Sequence, residues 1–206
     1  MINRAALKTW AKDSLKGNWG IAIGAYVLYA VIVGVLSGTG VGGFFAGLVA
    51  LGYVAITLTL IRTKTAKLDT MISAITDNFG TKFVGTLLVS LFTALWTLLF
   101  IIPGIVKGYS YAMTNYILLD RPELSATEAI TESRKMMDGH KMELFVLDLS
   151  FIGWVLLSIV TFGIAFLYVE PYMLATRAAF YETLKSANAE VKVEAEAATA
   201  ATEENA

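Results

Sequence analysis

Three long apolar blocks decide what this chain can fold into: residues 19–61, 82–119 and 144–181. A bilayer core of about 30 Å is crossed by about 20 helical residues. The second and third blocks hold 38 residues each, which as one straight helix would run roughly 57 Å. Each block is therefore expected to fold back on itself. Glycine permits positive φ and proline cannot continue helical hydrogen bonding. The expected turns are thus Gly38–Gly43 (GTGVGG), Pro103-Gly104 and Gly163 after Phe162. Composition agrees, since charged residues make up 16% of the chain and mean hydropathy is +0.64, whereas soluble domains carry about 25% charged residues.

The placement of positive charge supports three hairpins independently of length. Twelve of the 16 Lys and Arg residues lie in three polar connectors, residues 1–18, 62–82 and 120–142. Lys and Arg in short loops favour the cytoplasmic side. All three connectors can be cytoplasmic only if each block crosses twice. The expected fold is an all-α polytopic membrane bundle of six spans, at about 19–37, 43–61, 82–102, 104–119, 144–162 and 164–181. Both termini are then cytoplasmic in a plasma-membrane protein. Residues 1–185 form one membrane domain under this scheme. Segment 104–119 is the weakest span, and a five-span alternative makes it re-entrant, at the cost of moving the basic 120–142 connector outside. The apolar run Ile21–Leu36 is too long for a secretory leader and no clear A-x-A site follows, so an uncleaved first span is expected.

Arg4, Lys8, Lys12 and Lys16 recur every four residues, while Ile2, Ala6, Trp10 and Leu15 gather on another side. This predicts an amphipathic helix with a basic face. It either enforces the topology or also contacts anionic lipid head groups, each cation contributing about 1 kcal/mol near the surface. In the third connector Ser125 and Glu128 have capping-box spacing. Ala126, Ile130, Ser133 and Met137 then share a helical face that stops at Gly139. This helix is read as a structural connector lying under the bundle, with a partner-docking role as the alternative. Residues 186–206 hold five acids against Lys192 and lack an apolar face, so a disordered tail is expected.

Four ionisable residues fall inside or near the spans: Lys107, Asp148, Glu170 and Arg177. A charge at mid-bilayer costs about 2.5–3.5 kcal/mol on insertion scales, so such groups face the bundle interior and pair. Lys107 could pair with Asp148, and Glu170 lies two helical turns from Arg177. They form either a polar route or a set of boundary anchors that snorkel to water. Small residues at Gly20/Gly24, Gly43/Gly47 and Gly104/Gly108 have the spacing that lets helices approach closely. Gly38, Gly40 and Gly43 formally match G-x-G-x-x-G. A span precedes them, however, and Leu58–Leu60 stand where a dinucleotide site needs an acid, so they are read as a turn.

The chain has no cysteine and one histidine, His140, which leaves no expected metal or cofactor site. No catalytic constellation is present either: H-E-x-x-H, G-x-S-x-G and the P-loop are all missing. A net charge of −1 gives no global field for nucleic acid.

Longer phrases narrow this further. GNWG (17–20), IIPGIVKGYSYAM (101–113), YILLDRPELSATEAITESRKMMDGHK (116–141), LSFIGWVLLSI (149–159) and PYMLATRAAFYETL (171–184) resemble the bacterial family called domain of unknown function 975. The resemblance implies a multi-pass membrane protein found largely in Gram-positive bacteria, with no assigned activity and no catalytic residues to carry over. More faintly, the chain is similar to the membrane domain of glycerophosphodiester phosphodiesterases. The expected function is a non-enzymatic accessory or scaffold whose connectors meet a protein partner or anionic lipid. The alternative is a small transporter or channel subunit using the four intramembrane charges.

Overall fold

Helix α3 (Gly42–Thr63) forms the centre of an all-α bundle. Leu51, Ile56, Thr57 and Leu60 are fully enclosed or nearly so. Around it pack α1 (Arg4–Leu15), α2 (Trp19–Ser37), α4 (Asp69–Thr76), α5 (Phe79–Leu99), α7 (Thr114–Asp120) and α11 (Phe166–Glu204). The remaining helices are α6 (Ile101–Ser110), α8 (Ala126–Met136), α9 (Lys141–Leu149) and α10 (Ile152–Val160). The computed structural model describes the backbone of residues 2–38 and 42–204, and side chains through Ala189. The expected turn at Gly38–Gly43 falls partly outside the described residues.

Four stretches are long and apolar enough to cross a membrane: Trp19–Ser37, Gly43–Thr63, Phe79–Leu99 and Lys141–Val160. Helix α3 is largely buried, whereas the other three keep most of their apolar surface outward. Val35, Leu98, Ile102, Val160 and Phe162 are among the most exposed. In water such a surface would be an aggregation hazard; it suits a hydrocarbon environment. The expected spans 104–119 and 164–181 do not stand among these four. Segment 104–119 is broken between α6 and α7. Segment 164–181 is the start of α11, which carries Glu170, Pro171 and Arg177.

The break between α6 and α7 has a specific cause. Ser133, fully buried on α8, donates its hydroxyl to the Ser110 carbonyl at 2.9 Å and accepts the Met113 N–H at 3.2 Å. Backbone groups released at the break are thus satisfied by a side chain from the third connector. The connector helix is as expected in its cap and its face. Ser125 and Glu128 form a reciprocal capping box, and Ala126, Ile130, Ser133 and Met137 are all buried.

Three expectations need correction. The turn inside the second block is at Phe100, in extended backbone, and Pro103 lies within the first turn of α6. Proline fits there because a first-turn N–H has no helical acceptor in any case. Gly104 serves close packing instead: a Cβ on it would lie 2.6 Å from Thr97 Cα on α5. On α1 the buried face is Leu7, Ala11, Ser14 and Leu15, while Ala6 and Trp10 face outward. Small Ala11 and Ser14 allow the close contact with α11. Finally, α11 continues as helix to Glu204, into the stretch expected to be disordered; alanine and glutamate have high intrinsic helix propensity. The Gly163 turn is as expected, with Phe162 at φ 53° and Gly163 at φ 88°.

Candidate functional site

Helix ends from all three polar connectors meet on one side of the bundle. Arg62, at the end of α3, bonds Asp120 at the end of α7 (2.6 Å) and Glu182 on α11 (2.6 Å). Lys185 reaches the same Asp120 carboxylate at 2.6 Å, and the Tyr181 hydroxyl donates to it at 2.8 Å. Asn18 donates to the Lys64 carbonyl at 2.7 Å, and Asn78 to the Pro122 carbonyl at 3.1 Å. Segment 101–120 therefore returns to the side on which α3 ends. Asp120 is the hub, its side chain 6% exposed. Burial alone would disfavour its charge. Hydrogen bonds from Arg62, Lys185 and Tyr181, with the Arg62 charge, outweigh that and hold its pKa below the ordinary aspartate value.

Within the bundle, Asp148 on α9 and Arg177 on α11 form a two-point ion pair. Arg177 Nε donates to Oδ1 at 2.9 Å and Nη2 to Oδ2 at 2.8 Å. The Tyr109 hydroxyl adds a third bond to Oδ2 at 3.1 Å. Of the four candidate charges, only these two come together. Lys107 lies over the Trp96 ring, 5.0 Å from its centroid, and does not meet Asp148. Glu170 has no hydrogen bond or ion pair among the described residues; its electrostatic neighbours include Arg177, Asp148 and the tyrosines Tyr26, Tyr29 and Tyr53. Glu170 and Arg177 do not pair: two helical turns separate them by about 10 Å, and Arg177 turns to Asp148.

A cleft of about 510 Å³ opens beside the pair. Asp148, Arg177, Tyr109, Asn115, Thr93 and Tyr116 contribute its polar lining. Tyr116 is 3% exposed and its hydroxyl has no hydrogen-bond partner among the described residues. Such an orphan is costly unless a water or ligand meets it. The bonds of Tyr109 and of the Asp120 cluster escape a reading of the sequence, since Tyr109 is 39 residues from Asp148 and Asp120 is 58 to 65 residues from its partners.

Around α1, Arg4, Lys12 and Lys16 are exposed. Lys8 donates to the Ser150 carbonyl at 3.2 Å, at the joint of α9 and α10, and lies 4.2 Å from the Phe151 ring centroid. Lys12 is over Tyr172 at 5.5 Å.

Residues 98–188 match the family described as protein of unknown function (DUF975). The chain carries a domain of unknown function 975. No curated protein and no solved structure matches it, and the likeness to glycerophosphodiester phosphodiesterases is not shown. The DUF975 domain takes in α6 to α10 and the first part of α11. It therefore contains the Asp148–Arg177–Tyr109 cluster, Tyr116, the Ser133 stitch, Asp120 and Lys185. Arg62 and the basic face of α1 lie outside it and dock onto it.

Proposed function

We propose that this is a bacterial multi-pass plasma-membrane protein with six crossings and both termini cytoplasmic. In this reading it acts as a non-enzymatic accessory or scaffold whose working surface is the connector side. The observation that carries it is the Asp120 cluster. Two connector-side helix ends, at 62 and 120, and residues 182–185 within α11 are tied through one buried carboxylate, so the polar side is a preformed platform rather than a set of loose loops. The outward apolar faces of α2, α5 and α10 support the membrane setting. The even number of crossings is supported by the return of segment 101–120 to Arg62.

The deciding experiment places a photo-crosslinking residue at exposed Thr127, Thr131 or Arg134 of α8, with exposed Ser37 at the opposite end as control. The scaffold reading expects one protein or lipid species captured reproducibly from α8 positions in native membranes and not from position 37. Equal capture at both ends would overturn it.

A second reading has its own observation, a cleft lined by Asp148, Arg177 and Tyr116, the last with a hydroxyl that meets no hydrogen-bond partner among the described residues. Under it the chain is a small transporter or channel subunit. Solute flux in reconstituted vesicles that is lost on Asp148→Asn but kept on Lys107→Ala would favour transport over scaffolding.

A further inference from the structure

A second cleft, about 600 Å³, runs between α1 and α9, within the size range of sites that hold small ligands. Ile2, Leu7, Met142, Val146, Leu147 and Phe180 make its walls apolar, and Arg4 and Lys8 stand along the α1 side. The one acid in it, Glu143, is already engaged, pairing with His140 at 2.8 Å and accepting the Ile2 N–H at 3.3 Å. Arg4, Lys8 and Lys12 form no ion pair among the described residues. Burial first, then the charges of Arg4 and Lys12, pull the Lys8 pKa below the ordinary lysine value. Three cations thus crowd together without a counter-anion, beside an apolar groove. Its complement is a molecule with a phosphate at one end and hydrocarbon at the other.

We infer that the α1–α9 groove holds an anionic phospholipid of the surrounding bilayer, its phosphate at Arg4 and Lys8 and an acyl chain along Val146, Leu147 and Phe180. A free phosphate would satisfy the cations but leave the apolar walls bare. The inference rests on the membrane reading above, and its failure is separable from that reading: membrane insertion is checked for each variant by resistance to alkaline extraction.

The test uses the full chain purified in detergent, then exchanged into vesicles of phosphatidylcholine with a minority of phosphatidylglycerol. Lipid retained by the protein is extracted and quantified. Phosphatidylglycerol should be enriched over its share of the vesicle. Arg4→Gln and Lys8→Gln should each lower the enrichment about fivefold, the equivalent of one interfacial cation. Met142→Trp, at an exposed groove position, should lower it too by filling the groove while all three cations remain. Inorganic phosphate should not displace the lipid. Equal retention of both lipids would overturn the proposal, as would enrichment that survives Arg4→Gln and Lys8→Gln. Enrichment indifferent to Met142→Trp would reduce the effect to surface charge and overturn the groove. Displacement by phosphate would assign the site to a free anion. Melting curves confirm that each variant is folded.

Discussion

Arg177 on α11 grips Asp148 on α9 with Nε and Nη2 at 2.9 and 2.8 Å, one nitrogen to each carboxylate oxygen. The pair crosses from one hairpin helix to the other, and Tyr109 from the preceding hairpin completes it. It is thus a tie between two hairpins before it is anything else. Removing either partner should leave the other charged and poorly solvated. A fully buried pair would cost about 3–5 kcal/mol to break. Here the Arg177 side chain is 42% exposed, so about 1–3 kcal/mol is expected after discounting for that exposure. Asp148→Ala and Arg177→Ala should each lower the melting temperature in detergent, and the double mutant should lose less than their sum. Lys107→Ala should melt close to the parent and combine additively with Asp148→Ala. Strong coupling between Lys107 and Asp148 would contradict the structure.

The Asp120 cluster should make stability acid-sensitive. Its folded pKa is depressed by its partners, so the stabilisation is fully present above the unfolded value of about 3.9. It is lost as pH falls through the lower folded value, because the unfolded chain binds the proton more readily. Asp120→Asn should therefore be less stable than the parent at neutral pH. The difference should be about 1–3 kcal/mol, since Arg62 and Lys185 remain partly exposed. The gap should narrow below about pH 4. A gap that stays constant down to strongly acid pH would assign the loss to packing instead.

Topology is accessible because the chain has no cysteine. Labelling positions must be exposed in the fold: Ala66 and Ile130 are buried and unsuitable, whereas Ser37, Lys67, Thr127 and Phe162 are exposed. Cysteine at 37 or 162 should react with an impermeant maleimide in intact cells, and cysteine at 67 or 127 only after lysis. Reaction at 127 but not at 67 would mean an odd number of crossings between them and end the six-crossing topology.

Two glycines with the same sequence spacing should behave oppositely. A Cβ at Gly104 would meet the Thr97 backbone, with Cα at 2.6 Å and N at 2.8 Å. Gly104→Ala should cost about 1–3 kcal/mol by forcing α5 and α6 apart, and Thr97→Ala should not rescue it because the obstacle is main chain. At Gly20 nothing lies within 4 Å, so Gly20→Ala should be neutral or slightly stabilising through helix propensity. Thermal melting of both variants distinguishes a packing role from a spacing coincidence.

Much of the architecture is a property of the sequence alone. Block lengths and the clustering of twelve cations dictate helices that fold back in pairs. The Ser125–Glu128 box fixes the start of α8, and the spacing of Ala126, Ile130, Ser133 and Met137 fixes the face it buries. These are local rules: hydropathy over about 20 residues, a cap over four, a helical face over a few turns. The same rules flagged Asp148 and Arg177 as costly charges that must find company. They could not say which company, since Asp148 is 29 residues from Arg177 and Lys107 stood as an equal partner. That choice was made by how α9 and α11 pack, as was the buried face of α1, which depends on how closely Ala11 and Ser14 let it approach α11. The turn at Phe100 rather than Pro103 follows from Gly104 seating against Thr97. The joining of Arg62, Asp120, Glu182 and Lys185 needs three chain segments brought to one point, which no local pattern encodes. Long-range polar pairing depends on which helix ends the bundle brings within about 3 Å, a distance set by packing rather than by position along the chain.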